Sequence, residues 1–132
     1  MDSETVVSSL DLFPTLCRMA GVTAPPVEFD GEDLTRAFSG RPMKRTKDLF
    51  WEYGRDASYA YPGKSWDKSP NLAMRSGRWK LLINVDGSQS EPYNIDESSV
   101  EVANVAKNHG DIAEQMKKEL LSWRRSLQPS SA

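Results

Sequence analysis

The sequence is poor in the residues that most often carry chemistry. Of its 132 residues one is a cysteine and one a histidine. A single cysteine, Cys17, excludes an internal disulfide and a cysteine-based zinc site. No run of about eighteen apolar residues is present to span a bilayer. Positive charge is not in excess either: 17 Lys and Arg stand against 19 Asp and Glu, for a net charge of -2, which excludes nucleic-acid binding through bulk positive charge. The start, Met1-Asp2-Ser3-Glu4, lacks the basic region and apolar core of a signal peptide. There is no glycine-rich phosphate loop, no His-Glu pair at helical spacing and no Gly-x-Ser-x-Gly elbow. The expectation is a soluble segment, long enough at 38% hydrophobic composition for one modest core.

What is present is organised around Asn71-Leu72-Ala73-Met74-Arg75-Ser76-Gly77-Arg78-Trp79-Lys80-Leu81-Leu82-Ile83. Two strand-like runs meet at Ser76-Gly77, a dipeptide suited to a two-residue hairpin turn. That turn pairs Arg75 with Arg78, Met74 with Trp79 and Leu72 with Leu81, and gathers Leu72, Met74, Trp79, Leu81 and Ile83 on one face. Asp48 to Tyr53 predicts a further strand with Leu49, Trp51 and Tyr53 on one side. Asp86-Gly87 is a second turn signal, and Glu91-Pro92-Tyr93-Asn94-Ile95 predicts a further sheet partner whose proline, lacking an N–H to give to a ladder, puts it at an edge or at a strand start. Ile112, Met116, Leu120, Trp123 and Leu127 recur at helical spacing and should cover one face of this four-stranded antiparallel sheet. Lys117, Lys118, Arg124 and Arg125 fall mostly off that stripe, as a solvated helix end would.

Upstream, Leu10 to Gly21 predicts a short helix with Ser9 or Asp11 as N-cap, Pro14 in the first turn and Gly21 as its stop. Leu12, Leu16 and Met19 form one stripe and Phe13, Cys17 and Ala20 an adjacent one, so such a helix expects burial. That is more coverage than one small sheet provides, which implies packing against something larger. Pro25-Pro26 then holds an extended linker, and Asp30 to Gly40 predicts one or two helical turns. The acidic cluster there lacks the alternating oxygen ligands and distal glutamate of an EF-hand, and a capped helix start accounts for it better.

Candidate chemistry is sparse. Cys17 lies on the buried side of its helix, far in sequence from His109, which itself belongs to the entry of the last helix. Glu28, Asp30, Glu32, Asp33 and Glu52 are carboxylates enough for acid–base work, yet nothing in the sequence pairs any two. The long stretch from Arg55 to Pro70 mixes Arg55, Tyr59, Tyr61, Lys64, Trp66 and Lys68 with small and turn residues. Those six are substrate-binding candidates if the stretch is a ligand-contacting loop; the alternative is a plain excursion. Arg75 and Arg78, facing each other in the expected register, are candidates for an anion or an acidic interface partner.

Five landmarks in order resemble the carboxy-terminal region of a formylglycine-type, arylsulfatase-like sulfatase of the alkaline phosphatase superfamily. They are Asp11-Leu12-Phe13-Pro14-Thr15 through Ala20-Gly21; Asp30-Gly31 with Leu34 and Gly40; Leu49-Phe50-Trp51-Glu52; Arg75-Ser76-Gly77-Arg78-Trp79-Lys80-Leu81; and Glu91-Pro92-Tyr93-Asn94-Ile95. The last usually reads Glu-Leu-Tyr-Asp-Leu in that family, so Pro92 and Asn94 depart from it.

The resemblance implies an α+β fold in which residues 1–45 are the tail of a large α/β catalytic domain, with helices near 10–20 and 32–39 and a linker. Residues 46–128 would be the C-terminal subdomain, a four-stranded antiparallel sheet packed by a C-terminal helix, and residues 129–132 a tail. It implies a parent enzyme that hydrolyses sulfate esters of small molecules or glycans with a calcium ion and a formylglycine made in a Cys/Ser-x-Pro-x-Arg motif. Cys17 is followed by Arg18-Met19-Ala20, which is not that motif, so no catalytic residue, metal ligand or cofactor is expected in this segment. Its expected partner is the parent's catalytic domain, whose substrate cleft it would help wall; the resemblance also implies an exported parent, in the periplasm, outside the cell or in a lysosome. The alternatives are a free-standing α+β binding module and a fragment of a related phosphodiesterase or phosphonate hydrolase.

The chain alone is therefore expected not to hydrolyse an aryl sulfate at any calcium concentration, since it supplies neither covalent nor metal catalysis. Turnover that survives repurification and disappears in a Cys17→Ala variant would refute this.

Overall fold

The structure is a computed structural model that describes residues 5–53, 69–96 and 109–127. The chain divides into two compact units, Met1–Lys47 and Asp48–Ala132. With a four-stranded antiparallel sheet, an N-terminal helix and a C-terminal helix, its class is α+β.

In the first unit a 3-10 turn, Ser9–Asp11, leads straight into helix α1, Leu12–Met19. The entry is capped one residue earlier than expected. Ser8 is the N-cap, and the Asp11 carboxylate reaches back to the Ser8 backbone N–H at 2.6 Å, closing a capping box. Asp11 therefore serves Ser8 and makes no cap bond to α1. Pro14 falls in the first turn of α1, where its missing N–H costs nothing. Gly21 ends the helix with φ +66°, a conformation that suits a residue without Cβ. One turn of helix, α2, Thr35–Phe38, follows, its start held by Asp33, which accepts the Thr35 N–H at 2.9 Å.

The expected burial of α1 is not met within the described chain. The buried residues on this segment are Asp11 and Thr15, both fully covered, whereas Leu12, Phe13, Leu16 and Met19 are 44–56% exposed. The polar side faces inward because the loop that follows offers hydrogen-bond partners and almost no apolar surface. Leu34 is the large apolar residue of this unit that is buried, at 1% exposed.

In the second unit strands β1 (Leu49–Glu52), β2 (Leu72–Ser76), β3 (Trp79–Ile83) and β4 (Glu91–Asn94) form a meander in the order β1-β2-β3-β4. β4, with Pro92, is an edge strand, as the missing proline donor requires. The hairpin turns one residue later than the sequence suggests. Ser76 pairs with Trp79, Arg75 with Lys80, Met74 with Leu81 and Leu72 with Ile83, which leaves Gly77 and Arg78 at the corner. Arg75 and Arg78 therefore do not face each other. The reason is backbone geometry: Gly77 takes φ +55°, and a glycine at the first corner with positive φ suits a type II′ turn, whereas a Ser76-Gly77 corner would force positive φ on serine. Moving the corner by one residue shifts the pairing by two, so the faces are unchanged.

That invariance is why the core comes out as expected on β2 and β3. Leu72, Met74, Leu81 and Ile83 are fully buried and pack against Met116 and Leu120 of helix α3, Gly110–Ser126. On β1, Leu49 and Trp51 share a side as expected, and it is the side away from α3. Phe50 and Glu52 share the face of Met74 and Leu72, and Phe50 stacks on Trp123 at 5.2 Å with 13° between rings. Leu49 and Trp51 lie on the opposite face with Arg75 and Ala73. Arg124 is also not a solvated helix end: its Nε donates to Glu52 at 3.2 Å, in a pair whose carboxylate is 7% exposed. A charge on the core face of an edge strand is tolerated because the helix brings its counterion.

Leu120→Ala should lower the unfolding free energy by about 2–5 kcal/mol, since it empties a fully buried site. Leu127→Ala, at a residue 46% exposed, should stay within about 0.5 kcal/mol of the parent. Chemical denaturation followed by far-UV circular dichroism checks both, and the reverse order would place the core elsewhere.

Candidate functional site

The densest polar cluster in the described chain is built on Asp11 and Thr15, which stand one turn apart on the same side of the α1 entry. Both catch the Asp30–Leu34 loop. Asp11 Oδ1 accepts the Glu32 backbone N–H at 2.8 Å and Oδ2 accepts Arg45 Nη1 at 2.7 Å. Thr15 Oγ1 accepts the Leu34 N–H at 2.9 Å and donates to the Glu32 carbonyl at 3.4 Å. Glu32 in turn binds the Thr46 hydroxyl and the Thr46 and Lys47 backbone N–H groups, the last at 2.8 Å. Lys47 Nζ donates to the Phe29 carbonyl, and Arg45 Nε donates to the Lys47 carbonyl at 2.8 Å. Three sequence-distant pieces are thus fastened by two carboxylates and one guanidinium.

The approach is so close that one position allows no side chain. A Cβ on Gly31 would stand 2.1 Å from the Leu10 carbonyl oxygen, nearer than any real contact, and backbone cannot give way as a flexible side chain can.

Burial works to raise the Asp11 pKa, but the Arg45 hydrogen bond, the N–H groups of Glu32 and Ser8 and the Arg45 charge outweigh it and hold the carboxyl below its ordinary value. Burial likewise opposes ionisation of Glu32, and the Thr46 hydroxyl, the Lys47 and Thr46 N–H groups and the Arg45 charge overcome it. Both carboxylates are committed acceptors. They are suited to holding backbone and unsuited to taking a proton from a substrate.

The other candidates are placed as follows. Glu52 pairs with Arg124, and Asp33 accepts the Thr35 N–H at the start of α2 and lies 4.0 Å from Arg18. Cys17 is part-exposed and lines a shallow cavity with Pro14, Arg18, Gly21, Val22, Thr23, Ala24 and Asp33. His109 immediately precedes α3 and packs on Trp79, ring centroids 4.8 Å apart, and the titratable neighbour of the thiol in the cavity's lining is Asp33. Arg78, at the hairpin corner, is 3.4 Å from Asp96, both well exposed; Arg75 Nε donates to the Gly77 carbonyl at 3.2 Å. Arg55, Tyr59, Tyr61, Lys64, Trp66 and Lys68 lie outside the described residues.

Arg45, which the sequence offered no reason to single out, is the centre of the cluster. Its only signal would have been a cation placed to answer Asp11 across 34 positions, which no local pattern reports. Among the described residues no group of three or more His, Cys, Asp or Glu stands together as a metal site. The Asp11 and Glu32 oxygens are taken by protein donors, so these residues do not fit a calcium site. Cys17, followed by Arg18-Met19-Ala20, stands outside the nucleophile motif.

Fold and landmarks together define the C-terminal region of a sulfatase. Residues 1–126 match the family described as N-sulphoglucosamine sulphohydrolase, C-terminal, and the chain belongs to that family. It is 32% identical to the choline-sulfatase of Rhizobium meliloti (strain 1021) over 107 residues, which cover 79% of this chain and 18% of that protein. It is 32% identical to human arylsulfatase A over 83 residues, 63% of this chain and 15% of that protein. The chain thus spans less than a fifth of the length of these relatives. Among solved structures, a 2-O GAG sulfatase matches with a TM-score of 0.63 at 24% identity, covering 93% of this chain and 27% of that one. The phosphonate monoester hydrolase of Agrobacterium radiobacter matches with a TM-score of 0.52 at 22% identity, over 88% of this chain and 24% of that one. These two establish likeness of fold.

Because Asp11 and Glu32 have lowered pKa values in the folded state, the stability they contribute is complete above their unfolded values, near 4, and is lost as pH falls through the folded ones. The first unit should therefore loosen below about pH 4, and Asp11→Asn should remove the Asp11 share of that transition, leaving the share of Glu32, because the Asp11 part of the destabilisation is then present at every pH. Amide NMR signals of Glu32 and Leu34 report it, and acid insensitivity in the unsubstituted chain would refute it. Gly31→Ala, which cannot avoid the Leu10 carbonyl, should collapse the dispersion of the same signals at neutral pH.

Proposed function

We propose that this chain is the non-catalytic C-terminal part of a sulfuric ester hydrolase, that it packs on the catalytic portion preceding it, and that it walls one side of the substrate cleft. The observation that carries the reading is the first unit's inverted burial. Leu12, Phe13, Leu16, Met19 and Val22 are 44–60% exposed on a segment whose polar residues are the buried ones. A contiguous apolar surface of this kind marks an interaction site. The match to less than a fifth of the length of its sulfatase relatives supports a catalytic portion as the missing partner.

On this reading the parent's calcium and formylglycine belong to the catalytic portion, as does the hydrolysis of a sulfated small molecule or glycan, and the parent is exported. The five landmarks then acquire structural roles. Asp11, Thr15 and Gly31 hold α1 so that its apolar side is presented outward, while Trp79 and Glu52 build the small domain around α3. No catalytic duty is left over for them.

Two measurements test the reading. The gene upstream should encode a Cys/Ser-x-Pro-x-Arg motif, and an in-frame stop directly before this segment would instead favour a free-standing module. Leu16→Asp should leave the unfolding midpoint of the isolated chain within about 0.5 kcal/mol and reduce its self-association in gel filtration. In the full-length parent the same change should sharply reduce soluble, active enzyme. Equal tolerance in both settings would mean that α1 faces no catalytic domain.

A further inference from the structure

The polar cluster of the first unit keeps one donor idle. The Arg45 side chain is 6% exposed, and a guanidinium does not lose its proton in a protein, so its buried charge needs a counterion throughout. Nη1 meets Asp11 Oδ2, and Nε meets the Lys47 carbonyl. Nη2 is buried as well and has no hydrogen-bond partner among the described residues, although a buried donor left unmade costs free energy. The second carboxylate has an acceptor to match. Glu32 Oε1 takes the Thr46 hydroxyl and the Thr46 and Lys47 N–H groups. Among the described residues Oε2 takes only the long arm, 3.3 Å, of the bifurcated bond from the Thr46 N–H. Lys47 stands between the two groups, with its N–H on Glu32 and its carbonyl on Arg45. The neighbouring charges are engaged or outside: Lys47 Nζ is on the Phe29 carbonyl, Arg18 pairs with Asp33, and Glu28, Asp30 and Lys44 are exposed.

We propose that Asp11 and Glu32 hand Arg45 between them: when acid neutralises Asp11, the guanidinium pivots on its Nε bond to Lys47 and gives Nη2 to Glu32 Oε2. The driving force is that a protonated Asp11 no longer compensates the buried cation, whereas an ionised Glu32 still can. Burial opposes that ionisation, and the Arg45 charge is among the influences that favour it. The pivot is short because both groups already hold the same residue. Either order of protonation then leaves the guanidinium with one carboxylate, and it is stranded only when both are neutral. Thr15 meanwhile keeps the Leu34 N–H, since a threonine hydroxyl does not titrate in this range. Acid opening of the first unit therefore takes two protonations, and the apolar side of α1 stays presented through the first.

The experiment places Asp11→Asn in the 132-residue chain at neutral pH, where it imitates a neutral Asp11 and leaves Glu32 charged. Nuclear Overhauser contacts between the Arg45 Nη protons and the Glu32 γ-methylene should appear in the variant and be absent from the unsubstituted chain, with the Glu32 and Leu34 amides still dispersed. Hydrogen exchange at the Leu34 amide gives a second readout. Asp11→Asn and Glu32→Gln together should speed it by about tenfold more than the product of their single effects, the scale of one charged hydrogen bond, because only the double variant strands the cation. A folded Asp11→Asn chain without the Arg45–Glu32 contact overturns the proposal, as do single effects that simply multiply. Collapse of the Glu32 and Leu34 signals in Asp11→Asn alone overturns it too, since the transferred guanidinium should keep the loop tied. None of these outcomes depends on the sulfatase reading.

Discussion

A carboxylate taken out of water is stable only when its oxygens are met by donors, and in the first unit everything depends on how Asp11 meets that condition. Its partners are the N–H of Ser8, the N–H of Glu32 and the guanidinium of Arg45, one from each of three stretches of chain. With Leu34 as the sole large apolar residue buried there among those described, the hydrophobic effect has little area to act on. Hydrogen bonds to two carboxylates hold this unit together instead, and they form only because Gly31 lets two backbones approach within reach. The Asp-x-x-Pro-Thr pattern thus has a mechanical meaning: aspartate and threonine one turn apart grip the next loop, and proline fits the first turn, where no donor is needed.

The second unit follows the opposite logic. Its core is a dry layer between one face of the sheet and α3, made of Leu72, Met74, Leu81, Ile83, Met116 and Leu120. Burial of this kind contributes about 25 cal/mol per Å² of apolar surface and does not depend on any one contact. The Arg124–Glu52 pair at its margin adds orientation, fixing how α3 lies over β1.

The two units therefore differ in what they need from outside. The sheet unit contains its own apolar core. The first unit turns its apolar residues outward and its polar ones inward, the reverse of what an isolated segment in water favours. The chain belongs to a sulfatase C-terminal family and matches a minor fraction of its relatives' length, and on the proposed reading the outward apolar side meets the rest of the parent enzyme.

Periodicity alone determined the number and kind of elements here, since the alternation in Leu72–Ile83 and the helical spacing from Ile112 are local properties of the chain. It also determined the core face of the hairpin, which survived a misplaced corner because a two-residue shift preserves the faces of both strands. The order of the landmarks carried the family. Tertiary structure alone decided the corner at Gly77-Arg78, where the sign of φ at glycine outweighs a favourable dipeptide. It decided the orientation of β1, a strand of four residues apolar at three successive positions, for which alternation names no inner side. It decided as well the joining of Asp11 to Arg45 and of Glu52 to Arg124. Those pairs close over 34 and 72 residues, and a charge partner at that range leaves no periodic trace in a sequence.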